Sequence, residues 1–259
     1  MASAPQATNL PLLYNDLVPL NSNEHATWKS TGIPNAKFLN GQHAIPLTIE
    51  EFVPASRHYP IIFSAAEQPV PLALMGMNEG VNTFMDDEGI FMKQVYIPAY
   101  VRRYPFLLAK LRPDTDELSL CFDPSAGAIG ESEEGEALFE GTKPAPATER
   151  ILKFCEDFEN AGMQTHGFVE ELMKLDLLMD GEVSIQQEGV ENPFVYRGFK
   201  MVDENKLREL RGDVLRKITQ NGILPLIYAH LFSLQLMREI FAIQVQQGKV
   251  PSVTELPAS

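Results

Sequence analysis

The sequence predicts an α+β protein with a strand-rich, mostly antiparallel N-terminal lobe and a helical C-terminal lobe. The first half carries short apolar runs separated by turn residues, as antiparallel strands do. The second half places apolar residues at spacings of three and four, which is typical of amphipathic helices. Between them, residues 124–147 are rich in Gly, Ser, Glu and Pro. We therefore expect lobes at 8–123 and 148–247, joined by an acidic flexible linker at 124–147 into one domain.

The N-terminal half begins with an extended segment over 10–20, interrupted by two prolines. Thr48 and Glu51 have the spacing of a capping box, which predicts a helix running to about Arg57. Apolar runs at 60–64 and 71–77 then predict two buried strands joined by a hairpin or short turn. DDEG at 86–89 predicts another turn.

The stretch YIPAYVRRYPFLLAKL, residues 96–111, is the most distinctive of the chain. Pro98 suits the first turn of a helix, and Pro105 disfavours helical geometry at the residue before it. We expect a helical turn, a kink and a second short helix. Tyr100 and Tyr104 are four residues apart and share one face, while the two arginines between them point elsewhere.

These residues form the candidate binding site. Arg102 and Arg103, next to the phenols of Tyr100 and Tyr104, could hold a carboxylate or phosphate, and His58 is a candidate acid or base. The alternative is that the arginines stack on the tyrosines and pair with some of the 35 acidic residues of the chain.

The C-terminal half predicts helix over 148–179, broken at GMQTHG, then a strand pair and a further amphipathic helix ending at Gly222. The final helix, from Ile223 to about residue 247, is apolar on nearly every side. Two of its faces must be covered, so it is either the buried central helix of its lobe or half of a homodimer interface. His230 within it is expected to be a neutral, hydrogen-bonded core histidine.

Composition excludes several classes of partner. The formal charge of −14 disfavours nucleic acid and anionic membranes. Polar residues interrupt the uncharged run 218–237, so we expect no transmembrane segment, and without a recognisable signal peptide we expect a cytoplasmic protein. The two cysteines lack metal-ligand spacing, and no dinucleotide, phosphate-loop, zinc-protease or nucleophile-elbow motif is present. We therefore expect no metal and no cofactor.

Several blocks together resemble the SapC family of bacterial proteins, chiefly YIPAYVRRYPF at 96–106 and ILPLIYAHLFSLQ at 223–235. Further matching blocks lie at 19–25, 38–63, 72–89 and 196–207. The family name is associated with surface-layer proteins. Members are generally encoded in Gram-negative bacteria, near outer-membrane receptors and flavin-dependent halogenase-like proteins, which implies an accessory role. The resemblance carries no catalytic residues.

The leading hypothesis is a non-catalytic binding or accessory protein that contacts a protein partner or a small anionic ligand. The alternative is an enzyme that binds an anionic small molecule at Arg102 and Arg103 and uses His58 as acid or base. A pocket where arginine, histidine and tyrosine converge would favour the enzyme, and a flat or grooved surface would favour the binding protein.

Overall fold

A computed structural model describes residues 10–92, 94–112, 114, 117–186 and 193–249, so residues 8 and 9, where the first predicted lobe begins, lie outside it. The chain divides into two compact units. Unit 1 comprises Met1–Phe38 and Val101–Asn160, and unit 2 comprises Leu39–Tyr100 and Ala161–Ser259. Each unit combines segments from distant parts of the sequence. The structure thus divides the chain differently from the predicted succession of two lobes.

The described elements confirm an α+β fold. The strands are β1 (Val18–Pro19), β2 (Lys29–Ser30), β3 (Ala44–Pro46), β4 (Ile61–Ser64), β5 (Pro71–Leu74), β6 (Phe106–Lys110), β7 (Leu118–Phe122), β8 (Ile129–Gly130), β9 (Glu136–Ala137), β10 (Phe139–Glu140), β11 (Lys143–Pro144), β12 (Leu178–Ile185) and β13 (Phe194–Val202). The helices are α1 (Ser22–His25), α2 (Phe52–Ala55), α3 (Ala99–Arg103), α4 (Pro146–Lys174), α5 (Glu204–Arg208), α6 (Gly212–Gln220), α7 (Ile223–Ser233) and α8 (Leu236–Gln246). Short 3₁₀ turns occupy Lys37–Leu39, Ile49–Glu51 and Pro124–Ala126.

Unit 1 is built on small antiparallel sheets. One has the order β1–β7–β6, another β8–β2–β9, and β10 pairs with β11. Their core joins the strand residues Phe106 and Phe122 to Leu138 and to Cys155 of α4.

The segment 124–147, predicted to be a flexible linker, is built into unit 1. It contains a 3₁₀ turn and the strands β8 to β11, two of which pair with β2. The physical reason is Leu138, which is 0 % exposed and whose backbone N–H donates to the Trp28 carbonyl at 3.1 Å. A single buried leucine and its backbone pairing anchor a segment whose overall composition is polar.

Unit 2 contains an antiparallel sheet of order β12–β13–β4–β5–β3. The predicted hairpin is confirmed by the pairing of β4 with β5, in which Ile62 lies opposite Leu72. β13 pairs with β4 through Phe199 and Ser64, so the sheet combines strands from both halves of the sequence. The strands are therefore not confined to the N-terminal half.

The helices in the second half of the chain differ in detail from the prediction. α4 continues without a break through Gly162 and Gly167, because neither glycine departs from helical geometry and the apolar spacing persists on both sides. The amphipathic segment after β13 forms two helices, α5 and α6. The apolar C-terminal segment likewise forms two, α7 and α8, which meet at Leu234 and Gln235.

The distinctive stretch 96–111 begins as predicted with a short helix, α3. The residues after Pro105 do not form the expected second helix, because Phe106–Lys110 pairs along its whole length with Leu118–Phe122 as strand β6. This pairing partner lies beyond the segment, and local sequence patterns carry no information about it. The peptide bond between Tyr104 and Pro105 is cis.

Candidate functional site

Arg103, one of the two candidate arginines, lies inside unit 1. Its side chain is 7 % exposed, and Nη1 donates to Oε1 of Glu159 at 3.2 Å. The guanidinium carbon lies 4.2 Å from the centroid of the Phe158 ring and 5.8 Å from that of Tyr14. The charge is thus held between aromatic faces and a carboxylate of the same unit.

Arg102, the preceding residue, has the opposite environment. It is exposed, and its guanidinium carbon lies 5.2 Å from the centroid of the Phe154 ring on α4. Successive residues of a helix point about 100° apart, so α3 directs one arginine inward and the other outward. An arginine backed by an aromatic ring is a frequent feature of binding interfaces.

Tyr104, also in unit 1, is 8 % exposed and stacks on Phe38 with ring centroids 4.4 Å apart. It also meets Tyr14 edge-on at 5.2 Å. Burial raises the pKa of its phenol, and the nearby Asp123 carboxylate acts in the same direction. Asp123 is itself 0 % exposed and accepts from the backbone N–H groups of Asn15 and Ser125 at 2.7 and 2.8 Å. Tyr104 therefore has a neutral packing role.

The other two candidate residues, Tyr100 and His58, belong to unit 2. Tyr100 is 6 % exposed, whereas His58 is half-buried beside Tyr59, with ring centroids 6.3 Å apart. The candidate set is thus divided between the units. Within unit 1 the structure brings together Arg103 and aromatic residues that include Tyr14, which no local pattern in the sequence indicated.

Glu51 is a second residue whose role extends beyond the sequence prediction. It caps its own helix as expected, since Oε2 accepts from the backbone N–H and the hydroxyl of Thr48 at 2.9 and 3.0 Å. Its other oxygen, Oε1, accepts from the hydroxyl of Tyr96 at 3.1 Å and from the backbone N–H of Ala99 at 2.6 Å. The carboxylate, 3 % exposed, thus binds the first residue of α3. The spacing of the capping box gave no sign of this second, distant contact.

His230 confirms the prediction of a core histidine. Its Nε2 accepts from the backbone N–H of Val202 at 3.0 Å, and its Nδ1 lies 2.7 Å from the carbonyl oxygen of Ile61, to which it donates. Both nitrogens are therefore used to hold α7 against β13 and β4. Burial lowers the pKa of His230 to about 4, so the imidazole is neutral near pH 7.

The two thiols are also structural. Cys121 and Cys155 are free and buried in unit 1, each about 1 % exposed. Burial raises the pKa of each thiol to about 11. Thiols of this kind are inert at neutral pH, because the thiolate is the nucleophile and the metal ligand.

α7 presents apolar side chains on its exposed side. Ile227, His230 and Ser233 are buried against the unit, as the helical spacing of three requires. The opposite side, which we call the outer face of α7, consists of the exposed residues Pro225 and Phe232 and the half-buried residues Leu224, Tyr228 and Leu231. Phe232 is 64 % exposed and stacks on Tyr228 with ring centroids 5.6 Å apart.

This exposure corrects the first of the two predicted alternatives, a fully buried central helix, and leaves the homodimer interface as a prediction. By length and composition alone, the segment Ile223–Gln246 could also cross a membrane. This is weak evidence, because the core helices of soluble proteins pass the same test. Of the most apolar window in this segment, 33 % is buried. Polar side chains attach the segment to unit 2. The hydroxyl of Ser233 accepts from the backbone N–H of Ile61 at 2.8 Å, and Oε1 of Gln244 accepts from that of Met77 at 2.9 Å.

We also considered a surface depression and possible metal sites among the described residues. A surface depression of about 350 Å³ in unit 2 is lined by Ala65, Ala66, Glu67, Pro69, Met173, Asp176, Leu178 and Lys200. Its one cation, Lys200, pairs with Asp180 at 3.3 Å. Across the part of the chain that the structure describes, no group of three or more His, Cys, Asp or Glu side chains is placed to hold a metal ion.

Comparison with known proteins indicates one family. The sequence profile of the SapC family matches residues 20–240, which is most of the chain. Comparison with curated proteins finds no match. Comparison with solved structures finds none either. The matched region includes the Arg102–Arg103 pair and all of α7, and the chain belongs to the SapC family.

Proposed function

We propose that this SapC-family chain is a non-catalytic binding or accessory protein that docks a protein partner on the outer face of α7. The observation that carries the proposal is the stacked pair of Tyr228 and Phe232, the latter 64 % exposed on a helix without charged residues. Aromatic side chains held in place on an apolar surface are typical anchors of protein interfaces.

The roles of the reactive side chains support binding rather than catalysis. His230 uses both ring nitrogens for backbone contacts, and the cysteine thiols are buried with raised pKa values. Arg103 is held by Glu159 and by Phe158. These side chains, which could otherwise serve in acid–base or nucleophilic catalysis, thus have structural roles in the folded chain.

To test the proposal, the binding of the dye Nile red is compared between the wild-type chain and two variants. Nile red is neutral, so the acidic chain does not repel it. At low protein concentration, Phe232→Glu should abolish most of the dye fluorescence of the wild-type chain. Met163→Glu is the matched control, because Met163 is 68 % exposed on α4 and receives the same charge. Equal dye binding by the wild type and Phe232→Glu would contradict the proposal that the outer face of α7 is a docking surface.

A second candidate function is the binding of a small anion at Arg102. It is favoured by the exposed position of Arg102 and by the Phe154 ring next to its guanidinium, because a guanidinium can donate to a carboxylate or phosphate in bidentate geometry. Calorimetric titration with inorganic phosphate and with citrate should show binding to the wild type that Arg102→Met abolishes. If neither anion gives a heat of binding, this second candidate function is wrong. The enzyme hypothesis further requires turnover of an anionic compound that both Arg102→Met and His58→Gln abolish.

A further inference from the structure

The surface depression of unit 2 lies between the turn that joins β4 to β5, the end of α4 and the strands β12 and β13. Its volume of about 350 Å³ falls within the range of small-molecule sites. We propose that it binds a zwitterionic small molecule of the size of a free amino acid, with the ligand carboxylate at Lys200 and the ligand ammonium group at Glu67. None of its lining residues belongs to α7, so the depression is separate from the proposed docking surface.

Most of the lining of the depression is apolar. Its apolar residues are Ala65, Ala66, Pro69, Met173 and Leu178. Pro69 is buried and Leu178 half-buried, whereas the two alanines and Met173 are exposed. A ligand with a short aliphatic side chain would remove part of this apolar surface from water.

Lys200 supplies the positive charge of the depression. Its side chain is 29 % exposed, and its Nζ lies 3.3 Å from Oδ1 of Asp180, whose side chain is 93 % exposed. An ion pair with a partner so open to solvent contributes little to stability. An ammonium group has three N–H donors, so Lys200 can also donate to the carboxylate of a ligand.

Glu67 supplies the negative charge. Asp176 also lines the depression, but its Oδ2 and its carbonyl oxygen already accept from Nζ of Lys206 at 2.6 and 3.0 Å. Glu67 is exposed and forms no ion pair with any residue that the structure describes. The depression therefore offers a ligand one cation and one carboxylate, which complement a molecule that carries one charge of each sign.

The walls of the depression are fixed by hydrogen bonds. The turn at 65–69 is closed by the backbone N–H of Ser64, which donates to the carbonyl of Val70 at 2.9 Å, and by the N–H of Val70, which donates to the hydroxyl of Ser64 at 2.9 Å. Asp176 has a φ of 51°, a conformation that favours glycine, and the two bonds from Lys206 hold it there. Walls that are already ordered reduce the entropy lost when a ligand binds.

Calorimetric titration of the full chain with L-leucine at pH 7 tests the proposal. L-leucine has one carboxylate, one ammonium group and a short aliphatic side chain. We expect saturable binding with a dissociation constant on the order of 1 mM, because the contacts are few and open to solvent. Two analogues, 4-methylpentanoate without the ammonium group and 3-methylbutylamine without the carboxylate, should each bind at least about 10-fold more weakly.

Substitutions locate the binding. Lys200→Met and Glu67→Gln should each raise the dissociation constant for L-leucine by at least about 10-fold. Lys174→Met and Glu170→Gln are the matched controls, because they remove the same charges from an ion pair of α4 outside the depression, and they should bind like the wild type. Ala66→Trp, at an exposed position, should fill the depression and abolish binding. Circular dichroism and the melting temperature establish that each variant folds.

Three results would overturn the proposal. The first is the lack of saturable L-leucine binding by the wild type. The second is unchanged binding in Lys200→Met, Glu67→Gln and Ala66→Trp, which would place any site elsewhere. The third is equal affinity for L-leucine and for either analogue, which would show that the depression does not select a zwitterion. The Nile red test of the outer face of α7 is unaffected by each of these results.

Discussion

At the scale of single residues, Arg102 and Arg103 show how neighbours of identical chemistry acquire different roles. The inward-pointing arginine contacts Phe158, Tyr14 and Glu159, whereas the outward-pointing one lies over the Phe154 ring at the surface. An inaccessible guanidinium that loses its carboxylate or its aromatic contacts is costly, while an exposed one contributes little to stability.

Arg103→Met should therefore lower the free energy of unfolding by about 1 to 3 kcal/mol, because it leaves Glu159 without its cation and removes the stacking on Phe158. The matched variant Arg102→Met should change it by less than about 0.5 kcal/mol. Urea denaturation at pH 7 measures both. Equal effects of the two substitutions would show that the assignment of a structural and a surface arginine is mistaken.

His230 predicts a pH dependence of stability. Its pKa is about 4 in the folded chain, whereas an ordinary histidine has 6.5, so below pH 6.5 the unfolded chain binds a proton that the folded chain does not. The contribution of His230 to the free energy of unfolding is therefore fully present above pH 6.5. It falls by about 3 kcal/mol as the pH is lowered to 4.

The measurement is the unfolding free energy at pH 7 and pH 4.5 for the wild type and His230→Gln, because glutamine retains a donor and an acceptor but does not titrate. The variant should lose less stability than the wild type between the two pH values. His166→Gln, at an exposed position, should retain the dependence of the wild type. Parallel pH profiles for the wild type and His230→Gln would contradict the role assigned to the imidazole.

At the scale of elements, α7 has one side buried in unit 2 and one side that is partly exposed. Ile227 is 0 % exposed, so Ile227→Ala should cost about 2 to 5 kcal/mol through lost burial and the cavity it leaves. Phe232→Ala should cost less than about 0.5 kcal/mol when measured at a concentration where the chain is monomeric. Thermal unfolding of both variants at low protein concentration tests this, and a large cost for Phe232→Ala would place that ring in the core.

The segment 124–147 predicts a mixed pattern of hydrogen exchange. Leu138 donates its N–H to the Trp28 carbonyl and accepts from Ala145 N–H at 3.0 Å, so these two donor amides should exchange slowly. The exposed residues 131–135 should exchange fast. Exchange mass spectrometry resolves the two classes. Uniformly fast exchange from 124 to 147 would restore the interpretation as a flexible linker.

At the scale of the whole molecule, distant parts of the chain build each unit. The sheet of unit 2 joins β3, β4 and β5 to β12 and β13, which are more than a hundred residues away. Truncation at 124 or 147 would therefore divide a sheet instead of releasing a lobe. The net charge of −14 acts on the molecule as a whole and restricts the partners that its apolar surfaces can meet.

The sequence determined those features of this protein that depend on neighbours along the chain. The α+β class, the hairpin of β4 and β5 and the helical pattern of α4 follow from periodicity, and the capping box at Thr48 and Glu51 follows from a spacing of three. The motif blocks likewise identified the SapC family. Each of these signals is contained within a short window of residues.

The tertiary structure decided which surfaces are covered. Periodicity could not show that Phe106–Lys110 finds a strand partner in Leu118–Phe122, that Leu138 anchors a polar segment, or that Arg103 turns inward while Arg102 turns outward. Nor could it show that α7 buries one side and exposes the other, because an all-round apolar sequence favours no side. Burial depends on residues distant in sequence, and only the fold brings those residues together.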